Sequence, residues 1–300
     1  MSTKNNKNKK KSNILIYAIA VIMLIAGLCV FLYPAVSNYF AEKNHTEAIN
    51  SYDASVDKQN KSKLAAEWKK AKIYNENLAG DPVHDPFVPG SGYAQPKNYS
   101  SVLNINGDSM MGYIEIPKIS LKLPIYHGTD EATLQKGVGH MESTAVPIGG
   151  NGTHSVLTGH RGLPSAELFT RLDELQIGDE FYIHVLDKVL AYKVTEINTV
   201  VPNDLEKLVA YKDKDLITLV TCTPYGVNTH RLLVTAERTK YVPSKKENTK
   251  SKGSSLFGGK YHYYIIGIGI ALILLLIALI ISLIRKKLKQ KKERSDETKK

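Results

Sequence analysis

The stretch Leu216-Ile217-Thr218-Leu219-Val220-Thr221-Cys222-Thr223-Pro224-Tyr225-Gly226, with Arg231-Leu232-Leu233-Val234 just beyond it, decides how this chain is read. β-branched and apolar residues up to Cys222 predict a strand, and Thr223-Pro224-Tyr225-Gly226 predicts the turn that ends it. The second apolar run predicts a returning strand that Arg231 opens. If the two pair as a hairpin, Cys222 and Arg231 become neighbours at its loop end. A third strand, Ser155-Val156-Leu157-Thr158-Gly159, runs into His160-Arg161-Gly162. Strand ends are rigid places from which a thiol, an imidazole and a guanidinium can converge. Those three groups suit acyl transfer: the thiolate attacks, the imidazole exchanges protons, and the guanidinium stabilises charge developing on the acyl oxygen. Losing one oxyanion donor typically costs about 2.7–4 kcal/mol of transition-state stabilisation, so Arg231 should matter nearly as much as Cys222. Spacing alone does not single out His160 among nine histidines. His140, His154 and His230 stay open as alternatives, whereas His84, His127 and His184 read as surface or loop residues.

Working outward, short strands rich in Val, Ile, Leu, Thr and Tyr are expected at 112–116, 121–126, 154–159, 181–186, 189–197, 216–222 and 231–237. Gly, Pro and Asp turn signals separate them. Seven or eight strands with one short helix near 165–174 suggest a closed β-barrel or a sandwich over residues 101–240. Residues 41–79 lack Pro and Gly, and Leu64, Ala65, Trp68, Ala71 and Leu78 recur at helical spacing. Gly80 and Asp81-Pro82 stop that helix, so 34–80 reads as a helical stalk. Residues 81–100 read as a loop containing Asp85-Pro86-Phe87, and 241–262 as a polar linker.

The formal charge of +11 would suggest a nucleic-acid or membrane-surface partner. Its distribution argues otherwise. Residues 1–13 carry five Lys and no acid, and residues 285–300 carry nine basic against three acidic residues, which leaves 26 of each sign between them. A nucleic-acid-binding domain needs its basic excess on the folded part. Each basic tail abuts an uncharged apolar run, 14–33 and 263–284, of 20 and 22 residues. At 1.5 Å per residue either run crosses the roughly 30 Å hydrocarbon core. Both are expected to be transmembrane helices, with the basic tails 1–13 and 285–300 held in the cytoplasm and residues 34–262 outside. Ala35-Val36-Ser37 resembles a signal-peptidase site, but 20 apolar residues exceed a signal peptide's usual 7–15, so an uncleaved anchor is expected.

Of two cysteines, Cys29 falls inside the first membrane run, leaving Cys222 as the one thiol of the outer domain with no partner there for a disulfide. The chain has neither His-Glu-x-x-His nor Cys-x-x-Cys, so a zinc site is not expected.

Leu157-Thr158-Gly159-His160-Arg161-Gly162, Thr218 through Gly226, and Asn228-Thr229-His230-Arg231-Leu232-Leu233-Val234 resemble the signatures of sortases, most closely the class C, pilus-assembling sortases of Gram-positive bacteria. The resemblance runs from about residue 40 to 240. It implies a mainly β fold, a sortase-type closed barrel of about eight strands with an N-terminal helical segment, flanked by the two membrane helices. It implies catalytic Cys222, His160 and Arg231, and a lid whose Asp-Pro-aromatic motif matches at Asp85 and Phe87. The implied activity is transpeptidation on a Leu-Pro-x-Thr-Gly-like sorting signal, with a pilin Lys amine as acceptor and no cofactor. A peptidoglycan-precursor amine as acceptor, simple hydrolysis by a thiol peptidase, and a non-catalytic receptor are the alternatives. Ser143 stands where the class usually has Gly, and Thr235-Ala236 where Arg-Gly is more common; these departures touch a loop and a strand end and leave the catalytic set intact.

Overall fold

A computed structural model describes residues 3–78, 98–202, 204, 206–243 and 267. Asp85, Phe87, the apolar run 263–284 and the C-terminal tail lie outside the described residues. The chain divides into two units, one of residues 36–242 and one of residues 1–35 with 243–300.

The larger unit is a closed barrel of eight strands: β1 Met110–Ile116, β2 Leu121–His127, β3 Val138–His140, β4 Thr153–Thr158, β5 Glu180–Val185, β6 Lys188–Val200, β7 Asp215–Thr223 and β8 His230–Thr239. Around the barrel the order is β1-β2-β3-β4-β7-β8-β6-β5. Two neighbouring pairs, β2 with β3 and β4 with β7, are parallel, and the other six are antiparallel. Closure leaves no unpaired edge. The alternating pattern that announces the strands also fills the interior. Ile114, Leu123, Ile125, Leu157, Phe181, Ile183, Ile217, Leu219 and Val234 belong to one buried core, each contributing about 1.5–3 kcal/mol by leaving water.

All seven expected strands are present, lengthened by one to three residues at most ends. The expected helix near 165–174 is not an α-helix: only Leu172–Glu174 is helical, as a single 3-10 turn. Two elements escape the sequence pattern. Strand β3 is three residues long, too short for a period to show. Helix α3, Glu131–Lys136, buries one apolar residue, Leu134.

Helix α1 runs Thr3–Asp57 and α2 Lys61–Asn77, with Asn60 capping α2 by accepting a hydrogen bond from Lys63 N. Within α1, residues 22–57 form a helix long and apolar enough to cross a membrane, the one such helix among the described residues. From residue 36 to 78 the helical segment does not stand off as a stalk. Tyr52, Val56, Leu64, Ala71 and Tyr74 join the barrel's core. Tyr52 Oη donates to Met111 O at 3.0 Å and accepts from Leu186 N at 2.8 Å. The Asn75 amide accepts from Val146 N at 2.8 Å and donates to Val146 O at 3.1 Å. Apolar residues at helical spacing are compatible with a tether or a packed helix; tertiary contacts make this one packed.

Candidate active site

β7 and β8 form the expected hairpin, and its register pairs Cys222 with Arg231. On the other side of β7 lies β4, in parallel, pairing Thr153 with Asp215 through Thr158 with Val220. That offset of 62 residues brings the segment that leads to His160 alongside the strand end that carries Cys222. Two hydrogen bonds hold the extension: Gly159 N donates to Val220 O at 3.1 Å, and Thr221 Oγ1 donates to Gly159 O at 2.7 Å. His160, Cys222 and Arg231 thus end three adjacent strands, with the thiol-bearing residue in the middle.

Alternation along the strands decides which way the site faces. Leu157, Ile217, Leu219, Leu232 and Val234 belong to the main core, whereas Val156, Val220 and Leu233 join a separate cluster with Met141, Leu208 and the flanking Val200. Cys222 and Arg231 share the parity of Val220 and Leu233. They belong to the barrel's outer face, above an apolar floor that Leu208, from the β6–β7 connection, covers. Further down, His154 Nε2 accepts from Thr218 Oγ1 at 2.7 Å, and its Nδ1 donates to Val209 O at 2.9 Å. Thr218 Oγ1 also lies 2.8 Å from Thr235 Oγ1, so a polar chain ties β4, β7 and β8 together beneath the site.

Cys222 and Arg231 are 9% and 8% exposed, low enough that little bulk water screens a charge between them. Arg231 Nη1 lies 3.3 Å from both Asn228 O and His230 O, which point the guanidinium along the strand ends. Arg161, next to His160, donates from Nη1 to Thr223 Oγ1, next to Cys222, at 2.9 Å, and from Nη2 to Asp173. One half-buried guanidinium therefore ties the residue after the imidazole to the residue after the thiol. The sequence displays Arg161 but gives no sign of this tie, because Thr223 is 62 residues away.

The loop carrying His160 is shaped by two glycines. A Cβ on Gly159 would stand 2.8 Å from Phe169 Cδ2, and Gly162, at φ +81°, sits against the Tyr225 ring, where a Cβ would crowd Cε2 at 3.0 Å. Phe169 N donates to His160 O at 3.0 Å and Gly162 N to Thr170 Oγ1 at 3.1 Å. Among the described residues no three His, Cys, Asp or Glu side chains lie together as metal ligands would.

The other histidines sort by burial. His140 is fully buried; its Nδ1 accepts from Tyr99 Oη at 2.8 Å and its Nε2 donates to Ala145 O at 2.9 Å. Burial pushes its pKa down to about 3, so it is a neutral structural residue, as is His154, whose pKa burial also lowers. His127 and His184, read from the sequence as surface or loop residues, are strand residues packed into the fold. His127 is 8% exposed with ring nitrogens 2.9 and 2.7 Å from Ser109 O and Val102 O. His184 stacks on Tyr113 at 4.3 Å and faces Glu115 at 3.4 Å. His127 ends β2 and His184 is next to last in β5, so each stands beside a turn in the sequence, a position that reads as loop. His230 opens β8 opposite Thr223, and His84 lies outside the described residues.

A closed eight-stranded barrel of this order, with Cys, His and Arg at adjoining strand ends, describes a thiol-dependent acyl-transfer scaffold. The sortase domain family matches residues 114–239. Sortase C of Streptococcus pneumoniae is 44% identical, aligned over 66% of this chain and all of its own, with a TM-score of 0.61. Sortase C-1 of Actinomyces oris is 46% identical over 59% of this chain and 99% of its own, with a TM-score of 0.55. Sortase A of Streptococcus agalactiae is 28% identical over 77% of this chain and 89% of that protein. The chain belongs to the sortase family of cysteine transpeptidases, and its structural neighbours within that family are class C enzymes.

Proposed function

We propose that this sortase is a membrane-anchored pilin polymerase in which Cys222, His160 and Arg231 carry the reaction. The Cys222 thiolate attacks the Thr carbonyl carbon of a Leu-Pro-x-Thr-Gly-like sorting signal. As the Thr–Gly bond breaks, His160 gives a proton to the departing Gly amine, leaving a thioester on Sγ. An incoming Lys amine of the next pilin, deprotonated by His160, attacks the same carbon and releases Cys222. Arg231 holds the carbonyl oxygen and stabilises its negative charge in both tetrahedral states. No cofactor enters these steps.

The observation that supports this reading best is the strand register. The strand leading to His160 and the strand that carries Arg231 flank the strand of Cys222, over a covered apolar floor suited to an extended peptide. The pilin acceptor is supported by the class C neighbours, one of which is described with respect to pilin substrate specificity. Asp85 and Phe87 are read as the lid over Cys222. Two membrane helices, 14–33 and 263–284, with both termini cytoplasmic, hold the barrel outside the cell where pilins assemble. The direct test incubates the protein with a sorting-signal peptide, with and without an amine acceptor. Thioester capture that Cys222→Ala abolishes, and ligation that depends on the amine, are expected. Capture by Cys222→Ala refutes the nucleophile, and release of free acid at the same rate with or without amine makes the protein a peptidase.

A further inference from the structure

Glu131 lies 29 positions before His160, at the first turn of α3. Its carboxylate is oriented by one hydrogen bond and faces the imidazole with its other oxygen. Oε1 accepts from Gln135 Nε2 at 2.9 Å, and Oε2 stands 3.4 Å from His160 Nε2. The short helix that carries it is itself held. Asp130 accepts from Thr133 N at 3.1 Å and from Thr133 Oγ1 at 2.7 Å, Leu134 is buried, and Thr133 Oγ1 lies 3.4 Å from His127 O on β2. The carboxylate is thus delivered to the imidazole by an element anchored to the barrel, with a side-chain amide one helical turn on setting its orientation.

We propose that Glu131 is a positioning residue for His160: oriented by Gln135, its carboxylate holds the ring on its Nε2 side and assigns proton exchange to Nδ1. The inference rests on the reading of His160 as the proton-exchanging group. A nucleophile–base pair oriented by a third group is a general arrangement in covalent catalysis, and a carboxylate on the far nitrogen is the simplest way to fix an imidazole's tautomer and angle. The side chain of Glu131 is 67% exposed, which limits the effect. Exposed pairs contribute about 0.2–1 kcal/mol, so the expected loss is about 1.4- to 5-fold. Exposure also makes the interaction sensitive to ionic strength.

The test measures thioester formation on a sorting-signal peptide by the full-length protein in detergent, for wild type, Glu131→Gln, Glu131→Asp, Gln135→Ala and Cys222→Ala, at low and high salt. Glu131→Gln should lose about 1.4- to 5-fold at about 0.01 M salt, in kcat with KM unchanged, and the loss should shrink toward nothing at about 1 M. Glu131→Asp should recover part of it, and Gln135→Ala should fall between. Wild-type rates for Glu131→Gln at low salt overturn the inference. So does a loss that is equal at both salts and not relieved by Asp, which would be a merely structural effect. Thioester formation by Cys222→Ala would instead remove the catalytic reading on which the inference rests, so the two failures are told apart.

Discussion

Gly159→Ala is the sharpest probe of how the fold positions His160. An added Cβ would stand 2.8, 3.0 and 3.3 Å from Phe169 Cδ2, Cγ and Cε2, where ordinary contact begins at 3.4 Å. The ring must therefore move about 0.6 Å, or the backbone must. Neither moves alone. Phe169 is fully buried, and its N donates to His160 O at 3.0 Å, while Gly159 is itself hydrogen-bonded to β7 on both sides. Overpacking of this kind costs about 1–3 kcal/mol, which for a domain of this size lowers Tm by about 2–12 °C. A catalytic group misplaced by 1 Å can cost about 10²-fold, so a shift of this size predicts about a tenfold loss in thioester formation. Thermal unfolding and single-turnover peptide capture would be measured for Gly159→Ala, Phe169→Leu and the double variant. Removing ring atoms relieves the clash, so the double variant should be less impaired than the two single losses combined. An unchanged Tm and rate in Gly159→Ala, or strict additivity in the double variant, would refute the reasoning.

Arg161→Ala removes the tie between the His160 and Cys222 segments and leaves Thr223 Oγ1 without its 2.9 Å donor; a loss of about 1.5–3 kcal/mol in stability is expected, with slower capture in the same variant, and wild-type values in both assays argue against the tie. His140 makes the fold sensitive to acid. The unfolded chain gains a proton below about pH 6.5, whereas the folded protein resists it down to about pH 3. Stability should fall as pH drops through that window, by up to about 1.4 kcal/mol per pH unit from this residue. Unfolding midpoints should slope less in His140→Gln than in wild type between about pH 7 and pH 4, and equal slopes contradict the assignment. For the lid, Asp85→Ala with Phe87→Ala should speed alkylation of Cys222 by a thiol reagent, because a site open only part of the time reacts in proportion to that fraction. Equal rates in wild type and double variant would sink the lid.

Much of this protein is legible in its sequence because the relevant signals are local. The uncharged run beside the N-terminal Lys-rich tail needs only counting, and it overlaps the helix that is long and apolar enough to cross a membrane. Strands announce themselves by alternation and β-branched content, and Cys222 and Arg231 are close in sequence as well as in space, joined by a turn that Pro224 and Gly226 advertise. What the sequence leaves undecided is non-local. Only the parallel pairing of β4 with β7, across 62 residues, brings the strand that leads to His160 alongside the strand that carries Cys222. Only the register assigns Cys222 and Arg231 to the outer face, since alternation tells that two faces exist and not which one is covered. Tertiary contacts turn an apparent stalk into packed helices, bury His127 and half-bury His184, and create β3 and α3, elements too short to carry a period. Through α3 they also bring Glu131 to His160. Chemistry-bearing residue types are thus fixed by the chain itself, while which of them meet is set by strand pairing, a property of residues far apart that no local pattern encodes.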